Sequence, residues 1–401
     1  MSEKLAEVYE QYDMEILSSK KGRGATILST SGGMRILEPF RGNITRLEQE
    51  YVLKHTLAEH GCDYVDGFIL NREGQLLTWD KYRQPYVMKV HFEGRECDMH
   101  SEGDICRAIS LLARFHLLGQ QVLTDFNTAW DCHLEEREQK RIDEIRLAIE
   151  NGEELEKLSS LYEISEEALE NLMGGEENHK PASVPGKKSE ERDLRRVRSV
   201  ETLFNRHNQE IKKIRKFICT VKRKNAFETT FLKVYRQFYD KGTESSRLIK
   251  NISFGEGNPG IPGPYQHYGI CHGTFNQHNV ILGEERDALV HFERFFRGNQ
   301  LQDLYQFARK AMEKNSFDFS MLEMMFQSYM NFIPLTKEDF KYIYILFSYP
   351  EKFWKIANSY YNTNKAFLSP KYVEKLETVI AQETEKERML DEFEEKILLF
   401  N

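Results

Sequence analysis

Between residues 14 and 40 the chain alternates short β-prone runs with turn chemistry. Two runs are split by Lys-Lys-Gly-Arg-Gly at 20–24, and a third follows Ser31-Gly32-Gly33. This pattern predicts a three-stranded meander. From Thr45 to about His60 the apolar positions Leu47, Tyr51, Leu53 and Leu57 follow helical spacing, so a helix is predicted after the third strand. Further strands are expected around Phe68–Leu70, Leu76–Trp79 and Tyr86–Phe92. After Glu93-Gly94-Arg95 the texture turns helical, beginning with the apolar run Ile105–Leu118.

Residues from about Arg137 to Arg198 are dominated by Glu, Lys and Arg and contain Gly174-Gly175, Pro181 and Pro185. They read as a charged insertion, helical over Leu155–Met173 and disordered between Gly174 and Glu191, with a docking arm as the functional alternative. Val200–Ile249 returns to long-helix patterning, and its basic clusters at 212–213 and 222–224 read as solvated faces. A Gly/Pro-rich loop from Gly255 to Pro264 leads into Tyr268-Gly-Ile-Cys-His-Gly-Thr. Beyond Gln300 the chain is helical and aromatic-rich, with no internal repeat.

Length and charge narrow the picture. At 401 residues the chain exceeds one core of ordinary size, so two lobes are expected. With 64 acidic against 56 basic residues the formal charge is −8, which argues against general affinity for nucleic acid or anionic membranes. The start MSEKLAEVYEQYDMEI lacks a signal-like apolar region, and no stretch approaches the roughly 20 apolar residues of a membrane helix. The six cysteines form no CxxC pair, so neither a disulfide framework nor a zinc site is indicated. A soluble intracellular protein with reduced thiols is the expectation.

The chemistry concentrates at 272–279, His-Gly-Thr-Phe-Asn-Gln-His-Asn. Kinase-like phosphotransferases use a loop of the form His-x-Asp, four residues, then Asn, in which Asp accepts the hydroxyl proton and Asn holds magnesium. Thr274 and Asn279 have that spacing, and an apolar stretch follows at 280–282. A hairpin at Gly283–Asp287 leads to Ala288-Leu-Val-His-Phe-Glu293, where such enzymes place a short strand ending in a metal-binding Asp-Phe-acid. Leu301-Gln-Asp-Leu-Tyr305 is similar to the Asp-Leu segment that opens the following helix in aminoglycoside phosphotransferase-like proteins.

With Leu47-Glu-Gln-Glu50, Phe92–Cys97, Tyr349-Pro-Glu-Lys-Phe-Trp-Lys355 and Asn364-Lys365, the chain resembles the CotS group of spore coat proteins. That group lies within the aminoglycoside and choline kinase-like class. The resemblance implies an α+β, two-lobed protein kinase-like fold. Residues 1–94 would form a β-rich N-lobe and 95–401 a mainly helical C-lobe, with 137–198 inserted in it and a small-molecule or nucleotide cleft between the lobes. It also implies cytoplasmic synthesis, deposition in the spore coat, other coat proteins as partners, and neither nucleic acid binding nor membrane insertion.

Three positions depart from the pattern. Thr274 stands where the base belongs, and a threonine hydroxyl cannot supply the roughly 10²–10⁴-fold of general base catalysis. His291 replaces the metal-binding Asp, although magnesium prefers carboxylate oxygens. Glu293, on the same face if the strand continues, is the carboxylate that could compensate. Glu38 aligns with the phosphate-gripping lysine and would repel a phosphate by about 4 kcal/mol at 4 Å in an effective dielectric near 20. It would oppose Glu50, the helix acid, and neither Arg35 nor Arg41 shares its face. Ile36 adds bulk at the adenine floor. Gly22 and Gly24 read as a tight hairpin turn before a phosphate grip, and His272 as a brace of the loop before a base.

These features predict a catalytically impaired kinase-like scaffold with no cofactor. The alternatives are an ATP- and magnesium-dependent small-molecule kinase using Asn279, Glu293 and a different base such as His278, or a nucleotide or small-molecule sensor.

Overall fold

The computed structural model describes residues 5–152, 154–162, 199–252, 267–362 and 370–399. The chain opens with a short helix α1 (Ala6–Tyr9), then β1 (Ile16–Lys21), β2 (Thr26–Thr30), β3 (Gly33–Pro39) and helix α2 (Ile44–Glu59). Gly22 N–H bonds the Ala25 carbonyl at 2.8 Å to close the first hairpin, and Gly24 adopts φ +77°. Asn43 caps α2 by accepting from Arg46 N–H. Strands β4 (Phe68–Ile69), β5 (Thr78–Trp79) and β6 (Pro85–Val90) complete an antiparallel sheet ordered β1-β2-β3-β6-β4, with β5 also on β6.

The β3–β6 register decides what enters the cleft. Leu37 pairs with Met88, and both are buried with Leu28 against Val8, Tyr9 and Tyr12 on one sheet face. Alternation sends Ile36, Glu38, Val87 and Lys89 to the other face, with Ile36 opposite Lys89 and Glu38 opposite Val87.

Strand β7 (Arg95–Glu96) leaves this sheet and pairs with β9 (Val280–Leu282), which also pairs with β10 (Asp287–Leu289). Helices α3 (Glu102–Gln121), α4 (Leu123–Glu150) and α5 (Leu155–Tyr162) precede α6 (Val200–Thr220) and α7 (Ala226–Lys250). Strand β8 (Tyr268–Cys271) pairs with β11 (Phe296–Asn299). The described chain then continues through α8 (Leu301–Lys314), α9 (Phe319–Met330), α10 (Lys337–Ser348), α11 (Glu351–Asn362), α12 (Lys371–Ala381) and α13 (Glu383–Phe393). Capping boxes at Asn225/Glu228 and Thr336/Asp339 start α7 and α10.

The larger apolar core joins α3, α8, α9 and α10 with Leu53 and Leu57 of α2. A second core gathers α6, α7, α11 and α12 around Phe231, Phe238 and Phe353. The architecture is the expected α+β arrangement, a sheet-rich N-terminal part and a helical C-terminal part. All six cysteines are free, and no helix among the described residues is long and apolar enough to cross a membrane.

Residues 137–150, at the start of the charged stretch, continue helix α4, which runs unbroken from Leu123 to Glu150, and Arg137 reaches back to Glu48 on α2 at 2.9 Å. The strand carrying Ala288 stops at Leu289, and His291 turns to φ +67°, so strand alternation cannot place His291 and Glu293 on one face. Within the charged insertion α5 begins at Leu155, while residues 163–198, the Gly255–Pro264 loop and Asn364-Lys365 lie outside the described residues.

Candidate functional site

The loop at 272–279 is held from beneath by Asp303 in the first turn of α8. Its fully buried carboxylate accepts the backbone N–H of His272 at 2.5 Å and of Gly273 at 2.9 Å. Asp303 also lies 3.4 Å from His116 Nε2, whose Nδ1 is 2.9 Å from the Tyr329 hydroxyl. Gly273 has φ +80°, and a Cβ there would sit 2.0 Å from the Arg294 carbonyl oxygen, so glycine is required.

His272 Nε2 lies 3.0 Å from the Val290 carbonyl, which can only accept, so the ring carries its proton on Nε2. Nδ1 then accepts the Thr274 N–H at 3.3 Å. Burial holds the His272 pKa below its ordinary value despite Asp303, keeping the ring neutral. His272 thus ties the loop to the end of β10, and both nitrogens are committed within the protein. His278, the other candidate base, is paired through Nδ1 with Glu96.

Thr274 and Asn279 are likewise turned on one another. Asn279 Nδ2 donates to the Thr274 carbonyl at 2.9 Å and lies 3.4 Å from its hydroxyl, while Asn276 Nδ2 donates to the same carbonyl at 2.6 Å. The Thr274 hydroxyl is 3.4 Å from His272 Nδ1 and 3.5 Å from the His291 carbonyl.

Above this loop Glu38, Glu50 and Glu293 meet three charges that pattern reading did not find, Lys54, Asp66 and Lys89. Lys89 on β6 places Nζ 3.3 Å from Glu38, 3.4 Å from Glu293, 3.7 Å from Asp66 and 3.8 Å from Glu50. Its side chain is 4% exposed. Lys54, one turn beyond Glu50 on α2, lies 2.6 Å from Glu50 and 2.7 Å from Asp66 and is equally enclosed. Asp66 also accepts His291 N–H at 3.1 Å, and Glu293 lies 3.4 Å from His291 Nδ1. Arg46 of α2 donates to the carbonyls of Glu293 and Phe295 and lies over the Phe295 ring.

Burial opposes the Lys89 charge, but Asp66, Glu50, Glu38 and Glu293 outweigh it and hold the ammonium's pKa above the ordinary lysine value. Burial also works against the Glu293 charge, yet the bond to His291 and the nearby Lys89 pull its pKa well below the carboxylate range. The hydrogen bond to Glu293 raises His291 in turn.

Glu38 therefore faces the cleft, as the register implies, but it does not meet Glu50 unopposed. Lys89 stands between them, supplied by β6 rather than by Arg35 or Arg41. Arg35 instead bonds the backbone carbonyls of Gly32 and Met34. Gly22 and Gly24 occupy the β1–β2 turn, and half-buried Ile36 faces Lys89. The signals for the missed residues were a lone lysine inside the apolar run Tyr86-Val-Met-Lys-Val90 and another between Leu53 and Leu57.

The residues do not fit a magnesium ion. The carboxylates of Glu38, Glu50, Asp66 and Glu293 converge on the Lys89 ammonium, which already meets their demand for positive charge. Asn279 donates to Thr274, and Glu293 is engaged by Lys89 and His291.

The fold is that of solved small-molecule kinases. An aminoglycoside phosphotransferase from Alicyclobacillus acidocaldarius matches over 97% of this chain and 95% of its own, with TM-score 0.67 and 13% identity. A spectinomycin phosphotransferase, solved with ADP and spectinomycin, matches over 94% and 96% with TM-score 0.50 and 13% identity. No curated protein matches the chain. A family model described as "Spore coat putative kinase YutH" matches residues 184–393, just over half of the chain. With its kinase-like fold and that match, the chain belongs to the YutH family of spore coat proteins.

Proposed function

We propose that this protein is a non-catalytic component of the spore coat, a scaffold that keeps the kinase-like framework without phosphotransfer. The observation that carries the reading is the closed circuit of Thr274, Asn279 and His272. At the base position stands a hydroxyl too weakly basic for the task. The amide expected to face a metal donates to that residue, and the loop histidine has both nitrogens occupied. His291 offers imidazole where magnesium favours oxygen. In this reading His272 is a brace, Gly22 and Gly24 serve the turn, and the partners are other coat proteins meeting the outer surface.

The test is calorimetry and thermal shift with ATP, with and without magnesium or manganese. A ligand at 100 times its Kd stabilises a folded protein by about 2.7 kcal/mol, so binding at millimolar nucleotide would be seen. No binding is expected. Metal-dependent binding followed by turnover with a small alcohol would establish a working kinase instead, and binding without turnover a sensor.

A further inference from the structure

Building on that non-catalytic reading, we propose that Lys89 is the resident cation of the cleft and the residue that makes it refuse divalent metal and metal–nucleotide. Four carboxylates arrive from four separate segments: Glu38 from β3, Glu50 from α2, Asp66 ahead of β4 and Glu293 beyond β10. All lie within 3.3–3.8 Å of one ammonium. Hard carboxylate oxygens converging in this way attract a divalent cation, which would draw them in to roughly 2.0–2.6 Å. An ammonium with three N–H donors satisfies the same demand at hydrogen-bonding distances.

The charges explain the refusal. Lys54 answers Glu50 and Asp66 on the α2 side, and Lys89 answers Glu38 and Glu293 toward the open side. Four carboxylates against two ammonium groups leave no cationic surplus for a triphosphate. A phosphate reaching Lys89 would have to displace an acid already paired with it. A metal drawing Glu293 together with Glu38, Asp66 or Glu50 would have to displace Lys89, whose side chain is almost fully enclosed. Because Glu293 belongs to the C-terminal part and Lys89 to the N-terminal sheet, the same ammonium also ties the two parts together without a ligand.

Lys89→Met removes the cation and leaves the acids. The variant and the wild type are melted in manganese, magnesium and calcium chlorides at millimolar concentration, and manganese is titrated by calorimetry. The wild type is expected to show no metal response. Lys89→Met is expected to melt lower and to regain several degrees with manganese, with saturable binding. A Lys89→Met protein that folds and ignores the metals as the wild type does overturns the proposal, as does a wild type that binds manganese equally well.

If Lys89→Met does not fold, the triple variant Glu38→Gln/Lys89→Met/Glu293→Gln decides. Without the two open-side acids the demand for a cation is gone, so the triple variant is expected to fold and ignore metal. Its failure to fold also overturns the proposal. Nucleotide binding by the wild type that needs no metal would sink the scaffold reading and leave Lys89's role standing, because the comparison of metal responses concerns Lys89 alone.

Discussion

Asp303 anchors His272 by accepting its backbone N–H at 2.5 Å, and the same carboxylate accepts Gly273 N–H at 2.9 Å. Removing it leaves two buried donors unsatisfied and strands His116. Asp303→Ala is expected to cost about 3 kcal/mol or more. Asp303→Asn keeps one acceptor and should cost less. Urea unfolding midpoints of the two variants check the order; equal losses would mean that the acceptor oxygens are not what matters.

Gly273→Ala should be nearly as damaging by a different route. The residue has φ +80°, and the new methyl would meet the Arg294 carbonyl oxygen at 2.0 Å. Strain of about 1–3 kcal/mol from the backbone alone is expected, with the steric clash added. Thermal unfolding reads the loss, and wild-type stability would show that the loop can move away from Arg294.

His207 predicts a pH dependence. Its ring stacks on Trp354 at 3.3 Å between centroids and 15° between planes, and neither ring nitrogen makes a hydrogen bond among the described residues. Burial, aided by Arg206, pushes its pKa down to about 4. The unfolded ring titrates near 6.5, so only the unfolded state gains a proton as pH falls below that value. Stability should therefore be unaffected by this group above about pH 6.5 and decline from there to about pH 4. His116 and His272, also lowered, add to the same slope. A His207→Phe variant should show a shallower decline in urea midpoint over this window. An unchanged slope would mean that the ring is protonated in the folded protein.

Much of the fold was legible because local patterning and tertiary packing agree. Period-two runs and a Gly-rich turn gave the opening meander, and the apolar spacing Leu47, Leu53, Leu57 gave α2 where it stands. The loop was legible through spacing alone, since Thr274 and Asn279 hold fixed offsets from His272. Lys89 was not, because its meaning comes from pairing across β3 and β6 and from partners up to 204 residues away. The condition set for Glu293, a strand continuing past His291, is not met because the strand ends at Leu289 and His291 makes a left-handed turn, yet the two side chains still meet at 3.4 Å.

Tyr349–Lys355 carried the family resemblance, and its residues reach several different helices. Tyr349 stacks on Phe204 at 3.7 Å and donates to Asn208, Glu351 accepts from Tyr305, and Phe353 stacks on Phe238 at 4.4 Å. Trp354 donates to Glu210 at 2.7 Å. Phe353→Ala should cost about 3–5 kcal/mol. Trp354→Phe, which keeps a ring and loses one hydrogen bond, should cost about 1 kcal/mol. Comparable losses from both would contradict the packing role assigned to Phe353.

The outer contact of α2 with α4 should matter far less. Arg137 pairs with Glu48 at 2.9 Å, with the arginine 36% exposed. Arg137→Ala is expected to change stability by under about 1 kcal/mol, less still at high salt. Unfolding curves at low and high ionic strength test this.

Val52, Leu53 and Leu57 lie in the same apolar core as α3 and α8, although they come from the N-terminal part. The small lobe is therefore not a cassette that can be cut out at residue 94 and transplanted. An excised N-terminal fragment would expose this α2 seam to water, and the remainder would lose the side chains that fill its floor. Recombination between relatives should succeed only where α2 travels together with the helices it plugs into.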